Sequence, residues 1–208
     1  MTPTVTVVTS VHQPDDPRIR LKGIQTLVEA GWRVTYLAPA PGPSNSEGID
    51  VIPLEGSRIK RTLAAARTMF ALDSDVTVVH DPELLPAAMA LGTRRGADRV
   101  IFDLHEDLPR QLLTRRSSPP FLRRPSAVAS MWALRAAERL LTVTLAESNY
   151  SWVFERDHPV FENHPVASSL PLRADDPSGV VYVGDITTDR GIPLLLEAMG
   201  DVTGVPLT

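Results

Sequence analysis

Apolar runs alternate along this chain with amphipathic stretches, and the alternation predicts its elements. Thr4 to Thr9 (TVTVVT) is apolar and β-branched throughout, the pattern of a strand buried on both faces. Asp16-Pro17 supplies an N-cap followed by Pro at N1, and Ile19, Ile24, Leu27 and Val28 lie roughly along one helical face before Gly31 ends the helix. Arg33 to Ala38 reads as the next strand, and Pro39 to Gly48 is a loop by composition. Ile49 to Leu54 is a strand, and Ser57 to Leu72 a helix with Leu63, Ala66, Met69 and Phe70 available for packing. Asp75 to Val79 is a strand, Pro82 to Gly96 a helix and Arg99 to Leu104 a strand. Strands that alternate with helices in this way predict an α/β fold, a doubly wound parallel sheet.

Pro109 to Arg124 is less regular; Ala127 to Arg139 reads as a helix, Leu140 to Leu145 as a strand, Ser148 to Arg156 as a helix and Val160-Phe161 as a short edge strand. From Asn163 to Gly179 the chain is rich in Pro, Ser and Asp, a linker composition. Val180 to Gly184 then begins a fresh strand and Asp189 to Met199 a helix. The expected organisation is a first domain over 1–164, a linker over 165–177 and the incomplete start of a second α/β domain over 178–208. A lone βα unit cannot bury its own face, so this last piece is expected to dock on the first domain, to pair with another chain, or to be a domain cut short.

Composition narrows the function. A net charge of −4 gives no basic field for a nucleic-acid partner. With no cysteine, disulfides, thiolate nucleophiles and Cys-based metal sites are excluded. The first residues lack a signal-peptide pattern, and no apolar run approaches the ~20 residues of a membrane helix, so a cytoplasmic protein is expected.

The candidate chemistry lies between Val76 and Asp107, where two neighbouring strands end in polar clusters: His80-Asp81-Pro82 and Asp103-Leu104-His105-Glu106-Asp107. In an open parallel sheet ligands bind outside the carboxyl ends of the strands, so both clusters point at one site. Imidazole donates to hydroxyls at neutral pH, which makes His105 a candidate; its bland alternative is a structural bond to Asp103 or a backbone group. Asp107 is expected to cap the helix that begins at Leu108-Pro109, and Asp81-Pro82 also has the form of an N-cap and N1 pair. His80, Asp81, Asp103, His105 and Glu106 are all ordinary divalent-metal ligand types, yet their spacing matches no metal motif, and no metal is expected. His12, Asp15 and Asp16 line the loop after the first strand and offer hydrogen bonds to hydroxyls. Arg18 and Arg20, just inside the following helix, oppose its dipole and hint at an anion. The arginines from Arg110 to Arg124, with Phe121 and Leu122 among them, suit either a solvated loop, a phosphate-bearing acceptor or peripheral contact with an anionic membrane at its inner face.

Three segments carry a resemblance to a known family: SVHQPDDPRIRLKGIQTLVEAGWRVTYLAP, VVHDPELLPAAMALGTRRGADRVIFDLHEDLPRQLL, and FENHP followed by VVYVGDITTDRGIPLLLEAM. Together they resemble the family 4-like glycosyltransferases of the GT-B fold. The resemblance implies two Rossmann-like domains facing a cleft, an N-terminal one for the acceptor and a C-terminal one for a nucleotide-diphosphate sugar. It implies transfer with retention and without a cofactor. His105 aligns with a histidine that contacts the donor sugar, and Arg190 stands where the family has a basic residue before glycine. Two positions depart from the pattern: the loop His12 to Pro17 lacks the paired glycines of many relatives, and Asp185 replaces an arginine after the strand glycine.

The expected function is therefore the acceptor-side half of a retaining glycosyltransferase, with His105 as the catalytic residue and His12, Asp15, Asp16, His80, Asp81, Glu106 and Arg190 as substrate-binding residues. The partners would be a nucleotide-diphosphate sugar and a sugar or lipid-linked acceptor, and the 208-residue chain alone would be inactive. One alternative is a non-catalytic carbohydrate-binding or partner subunit; another is a sugar-nucleotide epimerase of the same architecture. A nucleotide-binding oxidoreductase is disfavoured, because the loop after the first strand has no glycine to approach a pyrophosphate.

Overall fold

The computed structural model describes residues 2–41, 45, 48–115, 118–162, 164, 179–184, 186 and 188–208. The expected linker over 165–177, Asn163 of the FENHP motif, Arg116 of the arginine cluster and Asp185 lie outside them. The chain divides into two units, Met1–His164 and Pro165–Thr208.

The first unit is a six-stranded, all-parallel sheet: β1 (Thr4–Val8), β2 (Arg33–Pro39), β3 (Ile49–Leu54), β4 (Val76–Val79), β5 (Val100–Leu104) and β6 (Thr142–Leu145), in the order β3-β2-β1-β4-β5-β6. This is the Rossmann-like order, and its reversal point falls between β1 and β4. The helices are α1 (a π-helical stretch, Pro17–Ile24, running into Gln25–Glu29), α2 (Arg58–Ala71), α3 (Leu85–Arg95, entered through a 3₁₀ turn at Pro82–Leu84), α4 (Leu108–Thr114) and α5 (Pro120–Leu140).

Strand side chains alternate between faces, and here the alternation separates core from site. Val8, Leu37, Val79, Phe102, Leu104, Val143 and Leu145 point to the face covered by α2, α3 and α5, where they join Met69, Leu84, Leu91 and Leu134 in the larger core. The intervening positions Val5, Val7, Val34 and Tyr36 pack against Ile19 and Ile24 of α1 on the other face. Since α1 covers that face beside β1 and β2, the polar residues that alternate with the core at the ends of β4, β5 and β6 are left facing a cleft.

Close packing fixes where α3 sits. A Cβ on Gly92 would meet the Leu140 carbonyl oxygen at 2.3 Å and Leu141 Cδ2 at 2.7 Å. Gly92→Ala is therefore expected to lower stability by about 2–3 kcal/mol, read as the urea midpoint. A second anchor is Glu138, buried on α5, which accepts from the Arg156 and Glu155 amides at 2.8 and 3.3 Å and lies 3.0 Å from His158 Nε2.

Several sequence expectations change. Met69 is buried as expected and Ala66 and Phe70 pack against the core, but Leu63 is exposed and Ala65 is buried in addition. The helix expected to begin at Leu108-Pro109 is α4, and the remainder of the stretch expected to be irregular holds the start of α5, which begins at Pro120 with Pro125 inside it. Pro120 suits the first helical turn, and Pro125 costs only the bond to the Phe121 carbonyl near that end. Ser148–Val153 is a 3₁₀ helix, and Val160 makes a single parallel bridge to Leu145.

In the second unit Val180 forms one parallel bridge with Leu207, where the sequence predicts a strand over Val180 to Gly184. A 3₁₀ turn (Thr188–Arg190) and α6 (Ile192–Gly200) lie between these two positions, and no α6 residue is buried. None of the described helices is long and apolar enough to cross a membrane.

Candidate functional site

The register brings the strand ends level. Val8 pairs with Val79, Val79 with Phe102 and Phe102 with Val143, so Thr9, His80, Asp103 and Thr144 form one row at the carboxyl edge. By alternation His80, Asp103 and Thr144 share the α1 face, and His105, two residues beyond Asp103, lies on it as well.

Asp103 is the hub. Its carboxylate accepts from Thr144 Oγ1 at 2.7 Å and from Arg18 Nη2 at 3.1 and 3.3 Å, and His105 Nε2 lies 2.7 Å away. Arg18 also donates through Nη1 to the Phe161 carbonyl at 2.8 Å, and its Nε lies 3.0 Å from His105 Nε2. His80 Nδ1 stands 3.1 Å from that same His105 nitrogen and 3.5 Å from Asp103. One ring nitrogen holds one proton or one lone pair, so these contacts compete. The carboxylate is the acceptor among them and the nearest neighbour, which places the proton of a neutral ring on Nε2 and its lone pair on Nδ1.

Burial would raise the Asp103 carboxyl, but hydrogen bonds from His105 and His80 outweigh it and hold the group well below the usual carboxylate range. Burial, the largest effect on His80, pushes that imidazole down, against the pull of Asp103. The unfolded chain therefore takes up a proton on His80 below about pH 6.5 that the native state refuses, and stability falls with pH from there. Asp103 adds a loss of the same sign once pH drops through the carboxylate range. Urea midpoints from pH 7.5 downward should decline below about pH 6.5, and His80→Gln should flatten the decline above about pH 5.

His80, Asp103 and His105 offer ligand atoms within 4.8 Å of one another and have the chemistry of a metal triad. The Arg18 guanidinium, however, already supplies the cation that neutralises Asp103. That geometry fits an internally paired cluster better than a metal centre.

The loop after β1 is fixed by Asp81. This buried carboxylate accepts from the Ser10 amide, from the Val11 amide at 3.2 Å, from Thr9 Oγ1 at 3.1 Å and from Ser10 Oγ at 3.1 Å. It makes no side-chain cap bond to the helix that follows it. His12, carried by that loop, has Nε2 3.5 Å from Asp81 and a ring centroid 5.3 Å from that of His105. Asp16 caps α1 through the Arg18 and Ile19 amides, and Asp107 caps α4 through the Arg110 amide. Asp15 is exposed.

Beside the hub lies a cleft of about 590 Å³ lined by Asp16, Arg18, His105, Glu106, Glu147, Ser148, Asn149, Glu162 and His164. Of the residues singled out from sequence, His12, Asp16, His80, Asp81, His105 and Glu106 thus come together around one strand edge. Arg190 belongs to the second unit, where it ends the 3₁₀ turn. Sequence reasoning missed Arg18 as a site residue and overlooked Glu147, Ser148 and Asn149. These last follow β6 as His105 and Glu106 follow β5, so the rule that picked out one strand end would have found the other.

No protein-family model matches this chain, and no curated protein matches it. Among solved structures it is similar to sucrose-phosphate synthase from Thermosynechococcus elongatus, with a TM-score of 0.63 at 17% identity, over 100% of this chain and 61% of that one. This likeness establishes a fold shared with a glycosyltransferase, and the chain spans less than two thirds of that neighbour's length. A putative short-chain alcohol dehydrogenase from Burkholderia multivorans is also matched, with a TM-score of 0.38 at 12% identity, over 100% of this chain and 94% of that one. That score carries no argument.

Proposed function

We propose that this chain forms the acceptor-side domain of a retaining glycosyltransferase that moves a sugar from a nucleotide-diphosphate sugar to an acceptor hydroxyl. The observation that carries the reading is the polar cleft at the carboxyl edge of β5 and β6, beside β4, with His105 held there by Asp103. The fold shared with sucrose-phosphate synthase supports it.

In this reading His105 orients the donor sugar through a ring whose tautomer Asp103 fixes. His12, Asp15 and Asp16 shape the acceptor side of the pocket, with Glu106, Glu147 and Asn149 as further partners for hydroxyls. Arg190, in the second unit, is a candidate contact for a diphosphate. His80 and Asp81 act mainly by position, one on the His105 ring and the other on the loop that bears His12. Transfer with retention lets the leaving phosphate take the acceptor proton, so the scheme requires no protein base.

Since the chain alone is expected to be inactive, the test is release of nucleoside diphosphate from uridine-, adenosine- and guanosine-diphosphate hexoses by this chain joined to a donor-side domain, in the presence of a sugar acceptor panel. His105→Ala is expected to lower the rate about 100-fold, the cost of one well-placed polar contact in a transition state. Release unchanged in His105→Ala would remove the proposed role. Sugar binding without any release would favour a carbohydrate-binding module.

A further inference from the structure

Helix α5 has two apolar faces, and only one of them is used. Ala127, Leu134 and Ala137 are buried, the last two in the larger core beneath the sheet. On the opposite side Phe121, Pro125, Val128 and Trp132 recur at spacings of four, three and four residues, which is one continuous helical stripe. The stripe faces solvent: Phe121 is 77%, Val128 50% and Trp132 61% exposed. Arg124 is exposed along its flank, and the Arg135 guanidinium sits 5.8 Å from the centre of the Trp132 ring.

Charge indicates what this face meets. From Leu108 to Ala137 the sequence has six arginines and no Asp or Glu, which leaves 15 Lys and Arg against 25 Asp and Glu in the rest of the chain. A helix with aromatic and apolar residues on its outer face and arginine beside them matches a surface that lies in the headgroup region of an anionic bilayer. A protein contact of the same area would ordinarily set acidic groups against those arginines, and the acidic remainder of this chain would be repelled by the lipid unless this one face led.

We propose that the outer face of α5 docks on an anionic lipid surface, with Phe121 and Trp132 inserted among the headgroups and Arg124 paired with lipid phosphates. Such docking would hold the protein where a membrane-borne acceptor is presented, but it does not depend on the transferase reading.

The experiment is sedimentation of the whole chain with vesicles of phosphatidylcholine alone and of phosphatidylcholine mixed with phosphatidylglycerol. The chain is expected to sediment with the anionic vesicles only and to be released by salt. Phe121→Ser with Trp132→Ser should weaken partitioning by about tenfold or more, and Arg124→Gln by about fivefold. Ile59→Ser, which removes an equally exposed apolar residue on α2, should leave it unchanged. Circular dichroism of each variant should match the parent, because these side chains are exposed.

Failure to sediment with anionic vesicles would overturn the proposal, as would variants that partition like the parent. A dimer in light scattering that Trp132→Ser dissociates, with no vesicle binding, would assign the face to a second copy of the chain. Sugar transfer enters none of these outcomes, so the two readings can fail separately.

Discussion

Asp103→Asn is expected to destabilise the first unit by about 3–5 kcal/mol, the cost of removing one partner from a buried ion pair. The Arg18 and Asp103 side chains are 12% and 13% exposed, so solvent replaces little of what is lost. The amide would keep a bond from Thr144 or Arg18, but the guanidinium would lose the carboxylate it pairs with. The effect should shrink when the stranded cation is removed too: Arg18→Met combined with Asp103→Asn is expected to be more stable than the sum of the single changes by about 1–3 kcal/mol. Urea unfolding of the four proteins measures this coupling. Strict additivity would show that Arg18 and Asp103 do not act as a pair.

Asp81→Ala is expected to cost about 3–5 kcal/mol, because it leaves buried donors on the β1 loop without an acceptor. The Ser10 and Val11 amides both end on this carboxylate, together with the hydroxyls of Thr9 and Ser10. Asp81→Asn keeps one acceptor oxygen but turns an NH₂ toward other donors, so about half the loss is expected to remain. Because the same loop carries His12, Asp81→Asn should also weaken any ligand that touches His12, even at temperatures where the protein stays folded. Chemical denaturation gives the stability, and amide exchange at Ser10 and Val11 reports the loop directly. Unchanged protection there would contradict the clamp.

Much of the sheet is legible in the sequence because its strands are short apolar runs between turn residues. β3 falls at Ile49–Leu54, as expected, and β1, β5 and β6 are shifted by only one or two residues at their ends. The start of α5 is hidden because Pro120 and Pro125 look like breakers, whereas one occupies the first helical position and the other sits within two turns of it. Leu63 shows the limit of a helical face drawn on sequence alone: α2 turns Met69 inward as expected, but with Ala65 beside it and Leu63 left exposed.

At the site, the polar strand ends could be read directly, since a polar cluster after an apolar run needs only the rule for parallel sheets. Which group neutralises which could not. Arg18 opposes its own helix dipole, a visible anomaly, but the carboxylate that answers it lies 85 positions away on β5. Asp81 next to Pro82 looks like a local cap, and its actual partners are about 70 residues earlier on the β1 loop. Local rules describe local bonds, and both anchors of this site are long-range.

The proposed function requires sugar to bind in the cleft beside His105. The most direct measurement is NMR of the five histidine rings during titration with uridine-diphosphate glucose and with maltose. The His105 and His12 signals are predicted to move with at least one of these ligands, while His158, held by Glu138 at another edge of the fold, stays fixed. Binding that shifts His158 and leaves His105 unmoved, or no shift of His105 with either ligand, would contradict the claim.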